Sequence, residues 1–420
     1  AMEHLDCRRP DPRSDRVSWR AGNMGEDGEC LRDDLFGEDV ERVIDRILDS
    51  ASVLSVAETL RSQFDGELAR RIATLRELRL RAKRRFGEDV PPFLTASGLE
   101  QATHPRLASR RSDEIHSQIG QSRIWDATCG IGVDGRALAR GGSQVVLGDL
   151  DPETLSFALE NMRRAGHRGW AVRADARTRA VQADVVLLDP DRRAAGKRSL
   201  DPEAWSPTLS ESLEIAERFD GACLKLAPGL DPLLLPDLPT DWVSVDGSLT
   251  EVTVWAGSLA VRESNLRRVL ALKSDGTEVR FEGRPTTIDA WEPEDAANVT
   301  WLAVPDPGLL RSDLLATLAE QEGLRPLAPQ LAWLGGTHAP TSPLLRGHTV
   351  LGSAPLDRKK VRALLGEHDV GAVTVLKRGH PDLAEVLARR FRGPGSKPGL
   401  LAVGRLERGH RAWLIGPAAV

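Results

Sequence analysis

From Glu38 to Phe86 apolar residues return every three or four positions, and Leu68, Ile72, Leu75, Leu78, Ala82 and Phe86 fall on one stripe. That spacing predicts amphipathic helix. Pro91 and Pro92 end the region, and a shorter helical pattern runs from about Ser97 to Ser117. The rhythm then changes. Apolar strand candidates at Ile124-Trp125, Gln144 to Leu147, Trp170 to Val172, Ala183 to Leu188 and Ala222 to Leu226 alternate with helical patterns at Gly135 to Arg140, Pro152 to Ala165 and Ser206 to Arg218. Strand and helix in alternation predict an α/β fold with a doubly wound, Rossmann-like parallel sheet. The helix after Asp151 has the fullest set of signals: Asp151 as cap, Pro152 in the first turn, and Leu155, Ala158, Leu159 and Met162 as the buried stripe.

After Asp241 the pattern becomes hairpin-like, with Val243 to Val245, Val252 to Val254, Val269 to Leu272 and Val279 to Phe281, the last two joined through Ser274-Asp275-Gly276. From about Trp301 a third rhythm predicts helix near Leu309 to Glu320, strand near His348 to Leu351, helix Arg358 to Leu365, strand Val373 to Leu376, helix Asp382 to Arg390, and strands Leu400 to Val403 and Ala412 to Ile415. The expected organisation is therefore a disordered tail over 1–35, an N-terminal helical region over 36–118, the α/β domain over 119–260, a bridging hairpin over 261–300 and an α+β domain over 301–420.

Composition narrows the class. A chain of 420 residues, 40% hydrophobic and 28% charged, can bury the cores of two or three domains. The longest apolar runs, Val185 to Leu188 and Leu233 to Leu235, fall far short of the roughly 20 residues that span a bilayer, so no membrane partner is expected. Met2 to Arg9 lacks the apolar stretch of a secretion signal. Cys7, Cys30, Cys129 and Cys223 are far apart with no C-x-x-C pair, which predicts a cytoplasmic protein without a disulfide framework or thiolate metal site. Cys129 and Cys223 are expected to pack rather than react. The net charge of -5 argues against bulk attraction to nucleic acid. Local basic clusters remain: the arginine-rich stretch Arg70 to Arg85, and the C-terminal pairs Lys359-Lys360, Lys377-Arg378 and Arg389-Arg390.

The chemistry concentrates in Ile124-Trp125-Asp126-Ala127-Thr128-Cys129-Gly130-Ile131-Gly132-Val133-Asp134-Gly135, a G-x-G-x-x-G loop between a strand and a helix. Glycines there let backbone approach a ligand without a Cβ in the way. Asp126 discriminates among cofactors. An acid at the end of the first strand suits a ligand with an ammonium group, as S-adenosylmethionine has, better than a nicotinamide dinucleotide. Asp149 and Leu150 end the second strand, where an acid accepts both ribose hydroxyls, and Asp175 and Ala176 end the third.

These residues resemble the class I S-adenosylmethionine-dependent methyltransferases, in particular the bacterial group with a C-terminal THUMP-like domain. The likeness rests on Leu99-Glu100-Gln101-Ala102-Thr103, the Asp126 to Asp134 loop, Leu188-Asp189-Pro190-Asp191-Arg192-Arg193, Leu224-Lys225-Leu226-Ala227-Pro228-Gly229-Leu230-Asp231 and Val375-Leu376-Lys377-Arg378-Gly379. Asp126-Ala127-Thr128-Cys129 departs from the commoner Asp-Leu-Gly-Cys, and Trp301 to Pro305 replaces a tyrosine-rich segment.

The resemblance implies S-adenosylmethionine held by Asp126, Gly130, Gly132, Asp149, Leu150, Asp175 and Ala176. Methyl transfer from a sulfonium is a displacement on an already activated electrophile, so the enzyme mostly positions the acceptor and requires no metal. Asp189, Pro190 and Asp191 are the expected catalytic residues, because the related motif of amine methyltransferases binds the acceptor amine through its acid and a backbone carbonyl. Asp191 and Arg192 stand where that motif has a second proline and an aromatic ring, so no ring follows to stack on a flipped base. Arg192, Arg193, Lys225, Lys377 and Arg378 are the expected substrate contacts, and an RNA base is the expected acceptor because THUMP domains bind RNA. The competing readings are a small phosphorylated metabolite or a protein as acceptor, a binding module without catalysis, and an NAD-dependent enzyme.

Overall fold

In the computed structural model the described residues are 3–5, 34–48, 53–87, 89–192, 199–263, 266–407 and 409–418. Most of the expected tail, and Arg193, Lys197 and Arg198, lie outside them. They divide into two compact units, one holding 1–226 and 253–262, the other 227–252 and 263–420.

The first unit opens with β1 (Glu3–Leu5), which pairs antiparallel with β4 (Trp170–Arg173), so three residues assigned to the tail are sheet edge. Helices α1 (Glu38–Leu48), α2 (Val53–Gln63), α3 (Gly66–Phe86), α4 (Ala96–Gln101) and α5 (Pro105–Ile119) follow. Asp65 caps α3 by accepting the Glu67 and Leu68 amides, and Gly87, at φ +76°, lets the chain leave it. The α3 stripe Ile72, Leu75, Leu78 and Ala82 is buried, as its spacing requires. It does not pack by itself: these side chains share one core with Ile131, Val133, Ala137 and Phe157 of the α/β portion. The helical region is therefore continuous with the glycine loop in one hydrophobic cluster rather than separately folded.

The unit's parallel strands are β2 (Arg123–Asp126), β3 (Gln144–Asp149), β4, β5 (Val185–Leu188) and β6 (Gly221–Leu226), in the order β4-β3-β2-β5-β6. Helices α6 (Val133–Arg140), α7 (Pro152–Arg164) and α8 (Leu209–Ala216) join them. The reversal of strand order beside β2 is the switch point at which open α/β sheets bind ligands outside their carboxyl ends. The expected helix over Ser206 to Arg218 starts later, at Leu209, because Thr208 forms a capping box with Glu211.

The second unit contains β7 (Thr240–Val245), the first half of β8 (Ser248–Gly257), β9 (Arg267–Leu272) and β10 (Glu278–Gly283). β9 and β10 form the expected hairpin, while β9 runs parallel to β7. Arg268 and Asp241 form a buried ion pair across that register. Beyond them β11 (Trp301–Pro305), α9 (Pro307–Arg311), α10 (Leu315–Gln321), β12 (Arg325–Ala328), β13 (Leu331–Gly336), β14 (Leu345–Pro355), α11 (Arg358–Glu367), β15 (Val370–Arg378), α12 (Ala384–Arg390), β16 (Lys397–Arg405) and β17 (His410–Ala418) form the α+β domain. Its seven strands run β12-β13-β11-β14-β17-β16-β15. One core lies on each face: Val361, Leu365 and Leu387 on one, Trp333, Leu331 and Trp413 on the other. The single helix expected near Leu309 to Glu320 is two, broken where Asp313 takes φ +56°.

Candidate cofactor and acceptor site

The carboxyl ends of β2, β3 and β5 bring the sequence motifs together. β2 ends in Asp126, and the loop reaches α6 through Gly130 at φ +51° and Gly132 at φ +80°, conformations that favour glycine. A Cβ at Gly132 would sit 3.1 Å from Ala158 of α7, whereas one at Gly130 would meet nothing within 4 Å. The loop is thus pressed onto α7 on one side and open on the other. Cys129 and Cys223 are both buried.

Asp149, at the end of β3, accepts the Gly130 amide at 3.1 Å and the Asp151 amide at 2.9 Å. Burial raises its carboxyl above the ordinary range despite those two N–H groups. Leu150 beside it is 56% exposed, an apolar surface on the ligand side of the sheet. Asp126 is only 2% exposed, and among the described residues no donor reaches its carboxylate; Oδ2 is wholly buried without a partner. Burial, with Asp134 nearby, pushes that carboxyl well up. A buried acid lacking a donor, a glycine with open space beside it and an acid at the second strand's end fit a cationic nucleoside such as S-adenosylmethionine; Asp126 would be the acid to meet its ammonium and Asp149 its ribose.

Asp189 and Pro190 follow β5. The Asp189 amide donates to Thr128 Oγ1 at 2.6 Å, fixing the acceptor motif to the glycine loop. Its carboxylate receives Lys225, which rises from β6 next door. Lys225 is 7% exposed and also donates to Thr103 Oγ1 at 2.6 Å and Asp134 Oδ2 at 3.2 Å. Asp134 in turn accepts from Thr103 at 2.6 Å and pairs with the buried Arg111. Burial would raise the Asp134 carboxyl, but Arg111 and Lys225 outweigh it and hold it below the ordinary range. Lys225, expected to contact substrate, has its ammonium engaged by Asp189, Thr103 and Asp134. Asp191 exchanges both backbone hydrogen bonds with Ser206 and accepts Gln101 Nε2 at 3.3 Å. Arg192 is half-buried, and its carbonyl accepts the Ser199 amide.

At the end of β4, Asp175 accepts Arg177 Nη1 at 3.0 Å and the Arg177 amide at 2.9 Å, and Arg177 reaches Glu211 Oε1 at 2.8 Å. Asp175 is thus engaged by its neighbour, and the adjoining Ala176 is buried. Sequence reasoning missed Thr103, Arg111, Asp134 and Arg177 as members of the site. One signal was available: Lys225 is a lone charge in the apolar run Ala222-Cys223-Leu224-Lys225-Leu226, and a buried lysine needs a carboxylate.

In the second unit Lys377 Nζ donates to the His380 carbonyl at 2.9 Å, and Arg390 pairs with Asp382 at 2.8 Å. Arg378 is half-buried, and burial lowers its pKa.

Residues 345–417 match the family described as THUMP domain-like. Two uncharacterized S-adenosylmethionine-dependent methyltransferases, from Mycobacterium tuberculosis strains CDC 1551 / Oshkosh and ATCC 25618 / H37Rv, are each 29% identical over 365 residues, covering 83% of this chain and 96% of the relative. The crystal structure of a putative methyltransferase from Porphyromonas gingivalis W83 superposes with a TM-score of 0.70 at 16% identity, covering 91% of this chain and 98% of that one, which establishes the shared fold. With that fold, those relatives and a glycine loop whose acids suit the cofactor, the chain is a class I S-adenosylmethionine-dependent methyltransferase with a C-terminal THUMP-like domain.

Proposed function

We propose that the enzyme methylates a nitrogen on a base of structured RNA, transfer or ribosomal. The observation that carries the acceptor chemistry is the fixed Asp189–Pro190 corner, tied to the glycine loop by Thr128 and to the interior by Lys225. S-adenosylmethionine supplies a methyl group on a positively charged sulfur. The chain's part is to hold an amine whose N–H groups donate to the Asp189 carboxylate and the Pro190 carbonyl, leaving the nitrogen lone pair directed at the methyl carbon. The acceptor proton is released after transfer. With Lys225 on one oxygen, Asp189 serves as a fixed hydrogen-bond acceptor. The RNA part of the reading is supported by the THUMP-like segment over 345–417.

A phosphorylated small molecule is the second reading, favoured by Asp191 and Arg192 standing where an aromatic ring would stack on a base. The deciding experiment is mass spectrometry of RNA nucleosides from a strain lacking the gene. We expect one methylated nucleoside to disappear, to return with the wild-type gene, and to stay absent with Asp189→Asn. An unchanged nucleoside profile in the deletion strain overturns the RNA reading.

A further inference from the structure

Leu99 to Thr103 runs from the end of α4 to the acceptor corner, and the helix that carries it is fixed from two sides. A Cβ at Gly98 would sit 2.4 Å from Ile131 Cγ2 of the glycine loop, so α4 lies directly on that loop, and Arg85 of α3 donates to the Leu99 carbonyl at 2.6 Å. Thr103 Oγ1 is bound to Lys225, whose ammonium holds the Asp189 carboxylate. Two residues before Thr103, Gln101 donates from Nε2 to Asp191 Oδ1 at 3.3 Å. The segment therefore meets the Asp189-Pro190-Asp191 turn twice, at Thr103 through Lys225 and at Gln101 directly. Thr103 is buried there, whereas Gln101 is exposed.

Asp191 is itself held, since its backbone exchanges hydrogen bonds with Ser206 at 2.9 and 3.0 Å. A carboxylate only accepts, so the Gln101 amide must turn its nitrogen toward Asp191 and its oxygen away. Among the described residues, Gln101 Oε1 and the second N–H have no partner. An amide oriented in this way presents one acceptor beside one donor, the pair by which glutamine reads the edge of a base. An amino group next to an unprotonated ring nitrogen offers the matching donor and acceptor. Phosphate offers acceptors only, and the neighbouring Asp191 carboxylate repels it. Asp191 stands where the amine-methyltransferase motif has its second proline, and Arg192 where it has its ring. The change that removes stacking thus supplies the group that orients Gln101.

We infer that Gln101, oriented by Asp191, is a specificity-determining residue that reads the base edge beside the acceptor amine. Asp191 is then a positioning residue rather than a catalytic one. The inference rests on the RNA reading above and gives it a base-reading group that the motif itself lacks.

The test measures methyl transfer from labelled S-adenosylmethionine by the full chain into RNA taken from the deletion strain. Gln101→Ala should lower kcat/KM for RNA by about tenfold, mostly through KM, the size expected for losing one or two hydrogen bonds to substrate. Calorimetric affinity for S-adenosylmethionine and the melting temperature should match wild type, because the side chain is exposed. Asp191→Ala should lower kcat/KM by about threefold, since the amide is freed to turn but remains in place. In the Gln101→Ala background the same Asp191→Ala change should cost almost nothing, because the side chain it orients is gone. An aspartate that merely braced the loop would lower turnover in both backgrounds. If wild-type protein methylates this RNA and Gln101→Ala does so with the same kcat/KM, the inference is wrong and the RNA reading stands. If the Asp191→Ala loss is as large in the Gln101→Ala background as alone, Asp191 acts independently and the orienting role falls. If wild-type protein transfers no methyl group to RNA from the deletion strain, the RNA reading falls and takes the inference with it.

Discussion

Asn161, completely buried on α7, closes three hydrogen bonds around Phe93 and the glycine loop: its Oδ1 accepts the Phe93 amide at 2.8 Å, and its Nδ2 donates to the carbonyls of Phe93 at 2.9 Å and Ile131 at 3.0 Å. One side chain thereby ties the segment after α3 to the loop between Gly130 and Gly132. Asn161→Leu would leave an N–H and two carbonyls buried and unpaired, at roughly 1 to 3 kcal/mol for each orphaned group. We expect a loss of about 3 kcal/mol or more in denaturant unfolding, and weaker cofactor binding. A variant as stable as wild type would mean that water replaces the amide.

The Lys225–Asp189 pair predicts coupling. Asp189→Asn keeps the shape and removes the charge that Lys225 balances; Lys225→Met leaves Asp134 and Asp189 without their shared cation. Each should lower kcat by about tenfold or more, the equivalent of losing one charge-assisted hydrogen bond of about 1.5 to 3 kcal/mol, with little change in cofactor affinity. Because both changes act through one contact, the double variant should fall short of the product of the singles. Strict additivity in kcat would show that Lys225 acts elsewhere.

Asp149 should matter for affinity instead. Asp149→Ala removes the acceptor for the Gly130 and Asp151 amides and, on the assignment above, the acceptor for the ribose hydroxyls. Calorimetry should show S-adenosylmethionine binding weakened by about 1.5 to 3 kcal/mol, or tenfold and more. Full affinity in a folded Asp149→Ala would place the ribose elsewhere.

What could be read from the chain depended on how local its cause was. The α7 start is set by Asp151 and Pro152 within one turn, and the structure has Asp151 accepting the Thr154 amide at 3.0 Å. The α/β alternation and the acids at the ends of β2 and β3 were legible for the same reason, since strand period and loop chemistry are short-range properties. β12 and β13 were not, because Arg325–Ala328 and Leu331–Gly336 are short and glycine-flanked, and are completed only by pairing with each other and with β11. Thr103 and Asp134 escaped notice as site members because they meet Lys225 from sequence distances of 122 and 91 residues, and Arg111 because it joins them through Asp134. Position in a motif located Lys225; only packing showed which way its charge is spent.

The unpartnered Asp126 carboxylate leads to a dependence on pH. Burial, then repulsion from Asp134 and Asp189, raises its pKa in the folded chain well above the ordinary aspartate range of about 3.9, while Lys225 and Arg111 oppose the shift. A carboxyl raised on folding contributes stability that is complete below its unfolded pKa and is lost as pH rises through the folded one. The ligand-free protein should therefore lose melting temperature with rising pH across the window above the ordinary aspartate range, and Asp126→Asn should flatten that part of the profile. With the cofactor's ammonium placed beside Asp126 as proposed, binding should pull the other way, because the cation favours the charged form and expels the proton. Calorimetry in buffers of differing ionisation heat should then detect proton release when S-adenosylmethionine binds wild-type protein below the folded pKa of Asp126. Asp149, also raised by burial, contributes release of the same sign, so the informative quantity is the difference between wild type and Asp126→Asn. Equal proton counts in the two proteins would show that Asp126 stays protonated in the complex and that the cofactor's ammonium is neutralised by another acid.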